Sequence, residues 1–314
     1  MPQGEKLYTG AEINLESTDH ISHHKKKVIE TVAENSVRPK PNKNVFGLRP
    51  KLWMFMKAGE NPQGKIKKWF KKNGEAPIFI SNINPTVTAA IIDASLFNIG
   101  IFNSYTKFKI IEKQHTASVI YTSHIHVPYI IKEIIYSISD DSIRRIILTD
   151  KKKSLIKTGD DYNLEKLKSE RIRIDALLKD NGYFYFNPDF LLFKADTSVK
   201  NHDITFRLTL KDSIPEKALT VYRINKVFID QDYSLDEEAG KPKDTLWYQG
   251  DYFLGKEAEM KIRPKVISRS VYLRKNEIYS RKNHNITLNR LMTMGNFKFV
   301  RINFSESDTT ATGF

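Results

Sequence analysis

The residues able to do chemistry in this 314-residue chain fall into a few small groups. Asp19, His20, His23 and His24 offer the oxygen and nitrogen donors of a metal site. They run directly into Lys25, Lys26 and Lys27, whose charge opposes a cation, so no metal is expected. His124 and His126 fall on one side of a strand-like run and read as an exposed or satisfied pair. Asp140-Asp141 and Asp160-Asp161 precede helical patterns, where carboxylates cap N-termini and meet the positive end of the helix dipole. No Gly-x-Ser-x-Gly, phosphate-binding loop, His-Glu-x-x-His or dinucleotide fingerprint occurs. The chain has no cysteine, which excludes a disulfide framework, a cysteine-ligated zinc and a thiol nucleophile. Neither catalysis nor a cofactor is expected.

Binding chemistry is more evident. The formal net charge is +14, and it is concentrated. Between Lys25 and Lys72 stand 14 lysines and arginines against three acids, Glu30, Glu34 and Glu60. Phe46, Trp53, Phe55, Trp69 and Phe70 are interleaved with them. Residues 38–78 are too long for a plain helix–helix link, which usually takes about 2–8 residues. Leu52–Met56 and Ile66–Lys72 read as two short amphipathic helices within this insert. Trp53, Phe55, Lys67, Lys68, Trp69, Phe70, Lys71 and Lys72 are its candidates for contact with anionic lipid head groups or a partner subunit. The plainer reading packs the aromatics inward and leaves the lysines solvated. A second functional class, a nucleic-acid surface of stacking aromatics and phosphate-neutralising lysines, stands as the alternative.

These groups need elements to position them. A hydrophobic fraction of 40% with 28% charged residues describes a folded chain with room for two or three domains. No apolar run approaches the roughly 18–20 residues of a membrane helix. One motif recurs three times: an amphipathic helical pattern, then Gly-x-Phe, then a strand-like run. The copies are Gly100–Phe102, Gly182–Phe184 and Gly295–Phe297. Glycine accepts the left-handed conformation that stops a helix, and the aromatic begins the next segment. Each copy has an upstream strand (Tyr8–Leu15, Tyr129–Tyr136, Tyr222–Ile229) and a first helix (about Lys25–Val37, Ser142–Leu148, Lys265–Leu273). In the first two copies the motif is followed by a hairpin. The unit is β-α-α-β-β.

The fold class is therefore α+β: tandem repeats, each a small mixed three-stranded sheet with two helices on one face. The hairpin makes strands two and three antiparallel, and the helices return strand three parallel to strand one, giving the order 1-3-2. Strands one and two are then edges. Pro188, read as lying within a strand, fits an edge position. The repeats are expected at 1–127, with the insert, at 128–216 and at 217–314. The third is expected to lack its last strand, so that its sheet is incomplete or repaired by another pairing. Open edges are templates for an added peptide strand. The candidates are Ser104, Tyr105, Lys107, Lys109 and Ile111 in the first copy, and Phe186, Pro188, Phe190 and Leu192 in the second.

With Gly4–Gly10, Arg38–Asn42, Gly47–Pro50, Tyr279–Lys282 and Leu288–Met292 in sequence order, the chain resembles the POTRA (polypeptide-transport-associated) region of BamA/TamA-like outer-membrane assembly proteins. It looks most like the form found in Bacteroidetes-type bacteria. The resemblance implies a location at the periplasmic face of the outer membrane and a C-terminal membrane β-barrel in the full-length protein. It also implies unfolded outer-membrane or secreted polypeptides as partners, with no nucleic acid. The polar start Met1–Lys6 and the end at Thr312-Gly313-Phe314 lead to the expectation that export signal and barrel are missing from this chain.

Overall fold

The computed structural model describes residues 4–198, 201–231, 233, 244–255 and 260–307. Regular elements begin with β1 (Leu7–Glu16), α1 (His23–Ser36), α2 (Pro50–Ala58), α3 (Gly64–Asn73), α4 (Pro85–Asn98), β2 (Tyr105–Glu112) and β3 (Thr116–His124). They continue with β4 (Ile130–Tyr136), α5 (Asp141–Thr149), α6 (Leu164–Asp180), β5 (Leu191–Asp196) and β6 (Asp203–Leu210). The last are β7 (Phe228–Asp230), β8 (Thr245–Tyr248), β9 (Asp251–Leu254), α7 (Pro264–Ser268) and α8 (Arg281–Thr293). Three sheets result, with orders β1-β3-β2, β4-β6-β5 and β7-β9-β8. The chain is α+β, and each described sheet has its parallel partner in the middle.

Local signals set the helices. Asn84 caps α4 by accepting from the Val87 N–H at 3.1 Å, with Pro85 in the first turn. Asp140 caps α5 through Ile143 N–H at 2.8 Å, and Ser280 caps α8 through Asn283 N–H at 3.2 Å. Gly100, Gly182 and Gly295 all have φ between 72° and 93°, the left-handed conformation their helix stops require.

In the first sheet β1 runs parallel and β2 antiparallel to β3. β3 alternates: Ala117, Val119, Tyr121 and Ser123 are buried, while their neighbours face the open side. Ile29 and Ala33 of α1 and Ala89, Ile92 and Leu96 of α4 cover that buried face. Burying a Leu, Ile or Val side chain stabilises by about 1.5–3 kcal/mol, so this small core is enough to hold the helices on one face. The second core joins Ile143 and Ile147 of α5 to Ile174 and Leu178 of α6, over Leu191 and Leu208.

Two expected strands are corrected. In the second copy Phe186 to Phe190 are not strand. Phe186 is buried in the second core, and Pro188–Phe190 form a 3-10 turn that Arg171 pins by donating to the Pro188 carbonyl and Asp189. Proline's fixed φ suits the first position of that turn, so Pro188 marks the approach to β5 rather than an edge within it. In the third copy Phe299–Phe304 carry no strand pairing. Instead a hairpin ahead of both helices supplies β8 and β9, turning at Gln249-Gly250 with φ 50° and 95°. β9 pairs parallel with β7, as β3 does with β1. The third sheet is thus completed by another pairing. Asp251 anchors β9: its buried carboxylate accepts from Ser268 and Arg274, both at 3.2 Å. Val300, Ile302 and Phe304 pack on the third core and line a groove of about 1230 Å³ beside β7.

The chain divides into two compact units. One comprises Met1–Glu133, Thr158–Glu165 and Thr197–Thr205, the other Ile134–Lys157, Lys166–Asp196 and Phe206–Phe314.

Candidate polypeptide-binding edges and joints

Each sheet has two outer strands, and the chain treats them differently. In every copy the segment leading into the second helix forms an antiparallel bridge with the first strand or its approach: Leu7 with Phe79, Ile130 with Asp161, and Arg223 with Ile278. The first bridge is reinforced by Tyr8 N–H to the Ile78 carbonyl at 2.8 Å and Ile80 N–H to the Lys6 carbonyl at 2.9 Å. In the second copy Ile131 donates to the Asp160 carbonyl and accepts from Gly159 N–H, both at 2.8 Å. In the third, Ile224 donates to Glu277 at 2.9 Å and accepts from Asn276 at 2.6 Å. β1 also carries an irregular register between Tyr8 and Ala11, at Gly10. Bridges and bulges blunt an edge. β2, β5 and β8 remain the outer strands at the other side.

The side chains and the backbone of β2 point in different directions. Lys113 N–H bonds to the Thr116 carbonyl at 2.8 Å, so the odd-numbered residues spend their backbone groups on β3. Tyr105, Lys107, Lys109 and Ile111 therefore decorate the open face of the sheet. Tyr105 stacks on His124 at 4.4 Å, and the Lys107 ammonium lies 5.6 Å from the Tyr105 ring. Ser104 precedes the strand. The outward backbone groups belong to Thr106, Phe108 and Ile110, which residue-type reasoning passed over. Thr106 N–H is already taken by Asp93 of α4 at 3.2 Å, leaving Phe108 and Ile110 in the stretch a visiting strand would meet.

In the second copy Leu192 lies in β5 and is exposed. Phe190 is turned toward its own sheet, its carbonyl accepting from Lys211 N–H at 2.9 Å. In the third copy β8 presents Trp247, which is exposed.

The first two Gly-x-Phe turns act as joints as well as helix stops. The Gly100 carbonyl accepts from Tyr129 N–H, and the Gly182 carbonyl from Tyr222 N–H, both at 2.9 Å. Phe102 packs on Tyr129 and Tyr162, with ring centroids 4.8 and 5.1 Å apart, and Phe184 packs on Tyr279 at 4.8 Å. A Cβ on Gly100 would stand 2.8 Å from the Tyr162 Cβ, and one on Gly182 2.6 Å from Ile278. Gly295 meets nothing within 4 Å, and Phe297 turns into the third core. The approach to the first strand of one copy is thus keyed onto the turn of the copy before it; in the third copy Tyr222–Val227, expected as strand, is that approach, and β7 begins only at Phe228. The sequence reading gave none of these tyrosines a role at the joints, although Tyr129 and Tyr222 open the expected upstream strands and Tyr279 begins one of the segments that carry the resemblance.

The insert is a helical hairpin of α2 and α3. Phe70 lies between Trp53 (6.0 Å) and Trp69 (5.7 Å), and Lys71 covers Phe55 at 3.9 Å. Phe55 and Phe70 are half-buried, whereas Trp53, Trp69, Lys67, Lys68 and Lys72 are exposed. Asn42, buried at the neck, donates to the Ala76 carbonyl at 2.7 Å and accepts from Ile78 N–H at 3.1 Å. Glu75 closes the same neck. The backbone N–H of Lys43, and then the ammonium of Lys51, hold its carboxyl below the usual range. Among the described residues no three His, Asp or Glu side chains converge as a metal site would require, and no helix is long and apolar enough to cross a membrane.

No protein-family model and no curated protein matches the chain. Among solved structures it is similar to POTRA domains 3–5 of BamA from Haemophilus influenzae, at 10% identity and a TM-score of 0.43, covering 100% of this chain and 96% of that one. It is also similar to POTRA domains 1–3 of the periplasmic domain of Omp85 from Anabaena, at 14% identity, TM-score 0.32 and 97% and 91% coverage. A third is the N-terminal domain of Omp85 from Thermosynechococcus elongatus, at 12% identity, TM-score 0.29 and 96% and 92% coverage.

Proposed function

We propose that the chain is a tandem POTRA-like scaffold at the periplasmic face of an outer membrane, binding unfolded outer-membrane or secreted polypeptides, or partner subunits, by β-augmentation. On this reading the repeats span 1–127, 128–216 and 217–314, and they work beside a membrane β-barrel of the same protein. The observation that carries this reading is the asymmetry of the edges. Three sheets share the order 1-3-2, each bridges its first strand or the approach to it, and each leaves its second strand outermost. Main-chain pairing at such an edge supplies affinity without reading sequence, which suits clients of many sequences. Binding of this kind needs no catalytic step.

The test is photocrosslinking. A photoreactive residue at Lys107 or Lys109 of β2, or at Leu192 of β5, captures an unfolded outer-membrane polypeptide. The same probe at Glu12 or Asn14 of β1 does not. Equal capture from β1 and β2 would refute the edge assignment.

A further inference from the structure

The basic insert is not used by the edge-binding reading, and it has the build of a membrane-surface anchor. We infer that α2, α3 and the turn before them dock on a bilayer containing anionic lipid.

The first observation is a stripe on α3. Ile66 and Trp69 follow helical spacing on one side of the helix, and both are more than half exposed, at 73% and 57%. Lys65 and Lys72 border that stripe, Lys67 and Lys68 stand farther round the exposed surface, and Lys71 is turned toward Phe55 of α2. α3 fully buries no residue, and only Phe70 and Lys71 are half-buried, against α2. Trp53 and Met56 of α2 extend the apolar surface, joined to it through the Trp53–Phe70 and Trp69–Phe70 contacts. Apolar side chains bordered by lysines with long aliphatic stems are what an interfacial helix requires.

The second observation is independent. Residues 45–48 form a tight turn closed by Val45 N–H to the Leu48 carbonyl at 2.8 Å and Leu48 N–H to the Val45 carbonyl at 3.1 Å. At its tip Phe46 adopts φ 51°, an unfavourable conformation for an aromatic residue, and is fully exposed. Leu48 beside it is 73% exposed. The turn spends backbone strain to hold two apolar side chains away from the protein.

Charge selects the bilayer. From Lys43 to Asn73 the only acid is Glu60, and Glu75 just beyond is engaged by Lys51. Anionic lipid attracts such a surface, and the acyl region of a bilayer takes up the aliphatic Leu48, Met56 and Ile66. A single-stranded nucleic acid would use the aromatics for stacking and gain nothing from these three.

The experiment is co-sedimentation of the whole chain with vesicles of phosphatidylcholine alone and of phosphatidylcholine mixed with phosphatidylglycerol, beside an oligo(dT) binding assay. The mixed vesicles bind at least about tenfold more tightly, and the difference shrinks as salt rises. Lys67→Glu with Lys68→Glu abolishes the preference, and Phe46→Ser, at a fully exposed position that leaves folding intact by circular dichroism, weakens binding to the mixed vesicles. Equal affinity for both vesicles overturns the inference. So does unchanged vesicle binding in both variants, or oligo(dT) binding lost in the charge variant by a chain that ignores vesicles. Photocrosslinking from β2 reads the edge assignment separately, so either reading can fail alone.

Discussion

The Asn42 side-chain oxygen accepts from the Ile78 backbone N–H at 3.1 Å, across 36 positions of sequence. With the Asn42–Ala76 and Lys43–Glu75 contacts it joins the two ends of the insert beside residues 78–80, which bridge to Tyr8 and Lys6 at the start of β1. Asn42→Ala empties a buried position and removes the side-chain partner of the Ala76 carbonyl and of the half-buried Ile78 N–H. The expected cost is about 1–3 kcal/mol in urea unfolding, with faster amide exchange at Tyr8 and Ile80.

The outward backbone groups of β2 predict opposite effects for two neighbouring prolines. Ile110→Pro removes an N–H that faces away from β3, so client affinity falls about tenfold while the urea midpoint moves little. Lys109→Pro removes an N–H committed to β3, and its main effect is on stability. Fluorescence anisotropy with an unfolded client and parallel urea titrations separate the two.

The helix-stop glycines differ in what surrounds them. Gly295→Ala meets only the backbone penalty of φ 72°, about 1–2 kcal/mol. Gly182→Ala meets that penalty and also places a Cβ 2.6 Å from Ile278 and 2.7 Å from Val221. Gly182→Ala is therefore the more destabilising of the two, and equal urea midpoints would show that the joint is not tightly packed.

His284 makes stability depend on pH. It sits on α8 beside Tyr279 and Phe304, and burial, then the Arg281 charge, push its pKa below 6.5. Between 6.5 and the lower folded value, the unfolded chain binds a proton that the folded chain does not. The penalty is absent well above pH 6.5 and grows as pH falls through that window. His284→Gln should lose less stability than wild type between pH 7.5 and pH 5.5, measured by urea unfolding.

Much of the architecture is legible along the chain. The three Gly-x-Phe turns, the Asn84-Pro85 helix start, the alternation of β3 and the extent of the basic insert are all local. Each depends on the conformational freedom of one residue or on a period of two or 3.6. The β8–β9 hairpin was equally local. Gln249-Gly250 between Leu246-Trp247-Tyr248 and Tyr252-Phe253-Leu254 is a hairpin signal, hidden by the expectation that the third copy would follow the first two.

Pro188 shows where local reading ends. A proline near a strand was read as an edge residue, yet Arg171, 17 positions earlier, ties it into a turn before the strand begins. The same holds for the candidate edge. Residue types singled out Tyr105, Lys107 and Lys109, whose side chains are exposed, while the backbone groups free to pair belong to Phe108 and Ile110.

By itself the sequence determined that this chain makes two β-α-α-β-β copies, with a cationic, aromatic insert in the first, and a third helix stopped by the same Gly-x-Phe turn, because glycine stops and hydrophobic periods act within a few residues. Only the tertiary structure decided which edge stays open and which hairpin completes the third sheet. Those outcomes depend on hydrogen bonds between residues as distant as Tyr8 and Ile78, and a backbone donor carries no mark in its residue type of the partner it will meet.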